Sequence, residues 1–240
     1  MRHIVGRSVF LKTLLLLYMG DETVTASAGT ERVLTNMANA MAERGYNVIV
    51  ATNDKTDAVP YGRIDGLQKQ THILVKAFAS LAQQYSQWDV WIWGEVKKTD
   101  YYQRLCQFIE EQGLTGRVHL AGTTPAIQDE LCQADIFAFP SAFEGFPLAL
   151  TEAMATGLPS VGFRSADAVN ELIVDGKNGI LCEDGVSAFA QGLERLMKEP
   201  ALRSAMGHQA VADMKPYYPE AVWNQWQMLI DEQIQQASRL

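Results

Sequence analysis

Apolar positions along the chain follow two alternating rhythms. Residues 12–19 (KTLLLLYM) are a continuous apolar run, the pattern of a strand covered on both faces. After a polar, glycine-containing stretch (20–31), Val33, Leu34, Met37, Ala38 and Met41 recur at helical spacing, with Gly45 as the stop. NVIVAT (47–52) reads as a second strand, which completes a β-α-β unit. The stretch 53–70 breaks the rhythm. It is rich in turn formers, and its one strand-like piece, AVPYGRI, carries Pro60, which a central strand tolerates poorly. From Thr71 the alternation is regular: helix 72–85, strand 89–95, helix 100–113, strand 117–122, helix 125–134, strand 135–140, helix 147–157, strand 159–163, a short helix near 168–176, strand 179–182, and helices to the end. Strands alternating with helices at this spacing predict an α/β fold with a doubly wound parallel sheet. In such sheets ligands sit outside the carboxyl ends of the strands. That rim would carry Gly94–Glu95, Gly122 and the turn Ser141–Pro147.

The 240 residues are 48% hydrophobic and 20% charged, so they can bury a substantial core. A net charge of −8 argues against nucleic acid as the main partner. Cys106, Cys132 and Cys182 form no C-x-x-C pair, which points to buried free thiols in a reducing cytosol. The run VFLKTLLLLYMG is too short to span a bilayer, is interrupted by Lys12 and lacks a cleavage site, so a cytoplasmic location is expected. Trp88, Trp91, Trp93 and the aromatics of DIFAF are expected in the core, and His119 is expected to be structural.

The stretch PSAFEGFPLALTEAMATGLPSVGF (140–163) carries the candidate chemistry. Pro147 suits the first turn of a helix, where its missing N–H costs nothing. The amides around Gly145–Leu148 would then face outward with partial positive charge, ready for a phosphate. Glu144 and Glu152 would flank that mouth. Carboxylates accept hydrogen bonds from sugar hydroxyls but suit phosphate badly. Cations from elsewhere are needed, and Arg63 and Lys69 in GRIDGLQKQ could neutralise a diphosphate.

In combination these residues resemble the retaining glycosyltransferases of family 4, the GT-B group that includes many polysaccharide and lipopolysaccharide enzymes. GRIDGLQKQTHILVKAFASL, the segment 113–163 and ELIVDGKNGILC are similar to that family's donor-binding C-terminal domain. The resemblance implies that Arg63 and Lys69 hold the donor diphosphate. It places Glu144 at the transferred sugar, and it gives backbone amides of Gly145, Phe146 and Leu148 to sugar and phosphate. Glu152 would grip the ribose, Gly94 would let the nucleotide approach, and Gly29 would face the phosphates across a cleft. No metal or other cofactor is implied; the donor is a nucleotide sugar, expected to be a UDP-sugar. Residues 1–56 resemble the start of the acceptor-side domain, and 57–240 the donor domain. The family's acceptor domain continues through further β-α units and supplies a histidine that none of His3, His72, His119 or His208 replaces.

The implied partners are a nucleotide sugar and a sugar or lipid-linked glycan acceptor, with peripheral association at the inner membrane face. Pairing between chains through an exposed N-terminal edge is a further expectation. Two other readings stand beside transfer: a nucleotide-sugar-binding remnant or interaction module without catalysis, and a sugar-nucleotide epimerase.

Overall fold

The computed structural model describes residues 13–18, 29–52, 69–94 and 99–237. Pro60 and Arg63, with the strand-like piece 58–64 that carries them, and Glu95 lie outside the described residues. The chain divides into two compact units. One contains residues up to Gly62 together with Tyr217–Leu240, and the other is Arg63–Pro216.

In the first unit β1 (Thr13–Tyr18) pairs in parallel with β2 (Asn47–Thr52) in unbroken register, Thr13 against Asn47 through Tyr18 against Thr52. Helix α1 (Gly29–Glu43) makes the crossover. Gly29 is the first residue of that helix, three positions earlier than the apolar spacing indicated. The long C-terminal helix, whose range is Pro219–Ala237, belongs to this unit and not to the 57–240 donor domain that the resemblance implies. Its Trp223, Ile230 and Ile234 pack on Met37, Ala40, Met41 and Tyr46. Tyr46 donates to Asp231 at 2.9 Å, and Arg44 pairs with Glu220 at 2.8 Å.

The second unit contains two parallel ladders. One is β3 (Val90–Trp93) with β4 (Val118–Gly122); the other is β5 (Phe137–Phe139), β6 (Ser160–Phe163) and β7 (Gly179–Cys182) with β6 central. Helices α2 (Thr71–Leu81), α3 (Asp100–Glu111), α4 (Ile127–Gln133), α5 (Leu148–Ala155), α6 (Val169–Leu172), α7 (Val186–Lys198) and α8 (Pro200–Met214) fill the connections. The element from Pro219 is therefore α9. All observed strand pairs are parallel, as the run of single apolar blocks implied. β6 and β7 are buried at every position. One core joins α2, α7 and the inner strands, centred on Val75, Phe78, Val161, Phe163, Phe189 and Leu196.

Helix α5 ends as its sequence requires. The Gly157 amide bonds to the Met154 carbonyl and the Leu158 amide to that of Ala153, both at 3.1 Å. Gly157 has φ +90. This is the left-handed stop that glycine supplies without a Cβ penalty.

Two expectations about side chains are corrected. Trp88 does pack against the core, beneath the Arg203 guanidinium at 5.0 Å. Trp91 does not: it is 58% exposed. Strand alternation is the reason. Val90 and Ile92 point to the core, so Trp91 takes the opposite face, where its ring stacks on His119 at 4.1 Å and near Trp93 at 6.2 Å. Of the cysteines only Cys182 is buried, while Cys132 is exposed and Cys106 half-buried. Burial, then the nearby Asp175 carboxylate, push the Cys182 thiol up to about 11, so it stays protonated and unreactive at neutral pH.

Candidate active site

The β5–α5 connection carries the densest chemistry. Pro147 sits one residue before the helix rather than inside its first turn, with φ −82 and ψ 85. Those angles are close to an inverse γ-turn. The Leu148 amide accordingly donates to the Phe146 carbonyl at 3.0 Å. Pro147 in turn accepts from Leu150 and Thr151 at 3.0 and 3.1 Å. Of the three amides implied as ligand donors, that of Leu148 is thus committed within the turn. The segment ahead of it, Gly145–Phe146, is exposed. A Cβ added to Gly145 would meet nothing within 4 Å, so the open space beside it is not filled by protein. Phe146 is half exposed at 50% and Phe143 at 57%.

Lys69 reaches this turn from the other side of the chain fold, 75 residues earlier. Its Nζ lies 2.5 Å from Glu144 Oε1 and 5.4 Å from the centre of the Phe139 ring. The Glu144 side chain is only 8% exposed, whereas that of Lys69 is 51% exposed. The structure therefore brings together Lys69 and Glu144, which the sequence could only name separately. Phe139, the last residue of β5, is buried in the core as expected and also lies beneath the ammonium, a contact worth about 0.5–1 kcal/mol at such partly exposed sites.

The residue after Lys69 explains how it gets there. Gln70 caps α2 with φ 44 and ψ 40, a left-handed conformation rare for a residue with a Cβ. Strain of this kind persists where the surroundings over-determine it, and here it turns the chain sharply before the helix. At the same helix start the His72 amide donates to the Tyr101 hydroxyl at 2.9 Å, and the imidazole packs edge-on against the Tyr101 ring. Burial, with a smaller effect of the Lys76 ammonium, lowers the His72 pKa, so the ring is neutral at pH 7.

Glu152 lies in the second turn of α5, half-buried, about 6 Å along the axis from Leu148. Gly94 follows β3 directly, with φ +152, and its amide donates to the Gly122 carbonyl at 2.8 Å. As at Gly145, a Cβ there would meet nothing within 4 Å. Ser141, at the base of the turn, is buried, and its hydroxyl has no protein partner. Nothing in the pattern of the sequence marks that residue out. Gly29 lies in the other unit.

The profile of the glycosyl transferases group 1 family matches residues 47–212, so the chain belongs to that family. It is 28% identical over 201 residues to an exopolysaccharide phosphotransferase of Streptomyces coelicolor, covering 83% of this chain and 21% of that protein. It is also 28% identical over 148 residues to the lipopolysaccharide core biosynthesis glycosyltransferase LpsE of Rhizobium meliloti, covering 60% of this chain and 41% of the relative. Among solved structures, HepE of Anabaena in complex with UDP superposes with a TM-score of 0.60 at 26% identity, covering 72% of this chain and 46% of HepE. The chain thus spans less than half the length of these relatives. Its fold class is that of the GT-B glycosyltransferases.

Proposed function

We propose that the unit Arg63–Pro216 binds a nucleotide-sugar donor, probed most directly with UDP, in a retaining glycosyltransferase that builds polysaccharide or lipopolysaccharide-type glycans. The observation that carries this reading is the meeting of Lys69 with Glu144 at the exposed turn ahead of α5. A cation and a carboxylate meet beside the exposed Gly145–Phe146 turn that precedes α5. That suits a diphosphate joined to a sugar: Lys69 and the Gly145–Phe146 amides take phosphate oxygens, while Glu144 accepts from sugar hydroxyls. Glu152, further along α5, would accept from the ribose. In transfer, an acceptor hydroxyl attacks the anomeric carbon on the face from which the diphosphate departs, and Lys69 stabilises the leaving charge. UDP in the HepE complex supports the choice of probe.

Calorimetric titration of UDP into the full chain tests the reading. Glu152→Ala should weaken binding about tenfold, the value of a hydrogen bond to a charged group. Excess chelator should leave the affinity unchanged, because Lys69 and amides rather than a metal carry the diphosphate. Equal affinity in Glu152→Ala and parent would remove Glu152 from the site.

A second reading is nucleotide-sugar binding or an interaction role without transfer. On that reading the 240 residues by themselves should show little or no transfer to any sugar or lipid-linked acceptor. A radiolabelled-donor assay with robust turnover would contradict it, and separating epimer from glycoside among the products would identify an epimerase.

A further inference from the structure

We infer that Glu144 makes the site discriminate a sugar-bearing nucleotide from the bare nucleoside diphosphate, by holding Lys69 until a sugar replaces it. The inference rests on the donor-site reading above. The Lys69 ammonium is not open to a phosphate on all sides: it lies 2.5 Å from Glu144 Oε1 and over the Phe139 ring. The two partners are unequal. Lys69 is half exposed and can find water or another anion, whereas the Glu144 side chain is 8% exposed. A largely buried carboxylate deprived of its cation is costly. A nucleoside diphosphate that draws Lys69 onto its phosphates therefore leaves Glu144 bare. A nucleotide sugar brings hydroxyls that donate to the same carboxylate, so the lysine can move without that penalty. The phosphate and sugar subsites are coupled through one ion pair, and coupling of this kind is reciprocal. After transfer the spent nucleotide no longer carries a sugar, Glu144 reclaims Lys69, and release is assisted.

The test is titration of UDP into four versions of the 240-residue chain: parent, Glu144→Gln, Lys69→Ala and the double variant. Glutamine is isosteric with glutamate but lacks its charge, so it releases the lysine while keeping the packing. Glu144→Gln should bind UDP about threefold to tenfold more tightly, the scale of a half-exposed ion pair. Lys69→Ala should bind at least about tenfold more weakly. The double variant should match Lys69→Ala, because the gain exists only through the lysine. Glu144→Ala, which offers no acceptor at all, should repeat the tightening and covers the case in which Glu144→Gln fails to fold. UDP affinity unchanged or weakened in the Glu144 variants, with Lys69→Ala still impaired, overturns the coupling and leaves the donor site standing. Unchanged affinity in Lys69→Ala removes the donor site itself.

Discussion

Lys69→Ala should reduce UDP affinity by about tenfold to a hundredfold, the largest loss expected from any single side chain of the described site. The estimate follows from what the lysine would supply. A charge-assisted hydrogen bond contributes about 1.5–3 kcal/mol, and among the described residues Lys69 is a cation held on Glu144, next to the Gly145–Phe146 turn. The variant should also be slightly less stable, because Glu144 loses its partner. Lys69 is half exposed, so that loss is discounted to about 1 kcal/mol. A melting curve measured beside the titration separates the two effects. A variant that melts like the parent and still binds UDP with parental affinity would show that Lys69 is a surface lysine paired with Glu144 and no more.

Gly207→Val should destabilise the Arg63–Pro216 unit by about 3 kcal/mol or more, beyond most surface substitutions. Gly207 lies in the middle of α8, where glycine costs roughly 1 kcal/mol against alanine. The reason for accepting that cost is contact. A Cβ at Gly207 would stand 2.2 Å from the Gly157 carbonyl oxygen. The obstacle is backbone, so no rotamer change relieves it; α8 must move off the end of α5. Because α5 carries Glu152 and the candidate phosphate mouth, the variant should also lose UDP affinity. Thermal denaturation gives the first effect, with a fall of about 6–12 °C for a chain of this size. A melting temperature within a degree of the parent would mean that α8 can shift freely.

These two residues show what the sequence could and could not disclose. The order of strands and helices from Thr71 onward was readable because apolar blocks and helical spacing leave a mark at every element. The end of α5 was equally readable from Met-Ala-Thr-Gly, which the Gly157 stop satisfies. Gly207 was not, because its role is set by a carbonyl fifty residues away in the chain. Trp91 illustrates a different failure. Composition favours burying tryptophan, but the alternation of β3 assigns Val90 and Ile92 to the core and leaves Trp91 outside. The alternation was present in the letters and outranks the composition.

The candidate site divides in the same way. Glu144, Glu152 and the Gly-Phe-Pro turn could be placed at a strand-to-helix corner from local pattern alone. Their meeting with Lys69 could not, since it depends on the left-handed Gln70 and on the Lys69 ammonium lying over the Phe139 ring at the end of β5. Glycine is the residue that adopts such a conformation freely, and a glutamine there gives no warning. Pro147 was placed one residue too far into the helix, because a γ-turn and a first helical turn both accept proline. The correction matters: it commits the Leu148 amide to Phe146 and shifts the amides offered to a phosphate toward Gly145.

A crystal structure of the full chain with UDP measures the central claim directly. The account predicts the pyrophosphate at the exposed Gly145–Phe146 turn, with Lys69 Nζ drawn from Glu144 onto a phosphate oxygen and the ribose hydroxyls within hydrogen-bond reach of Glu152. Nucleotide bound elsewhere on the Arg63–Pro216 unit, with Lys69 still on Glu144 and Glu152 untouched, would contradict it.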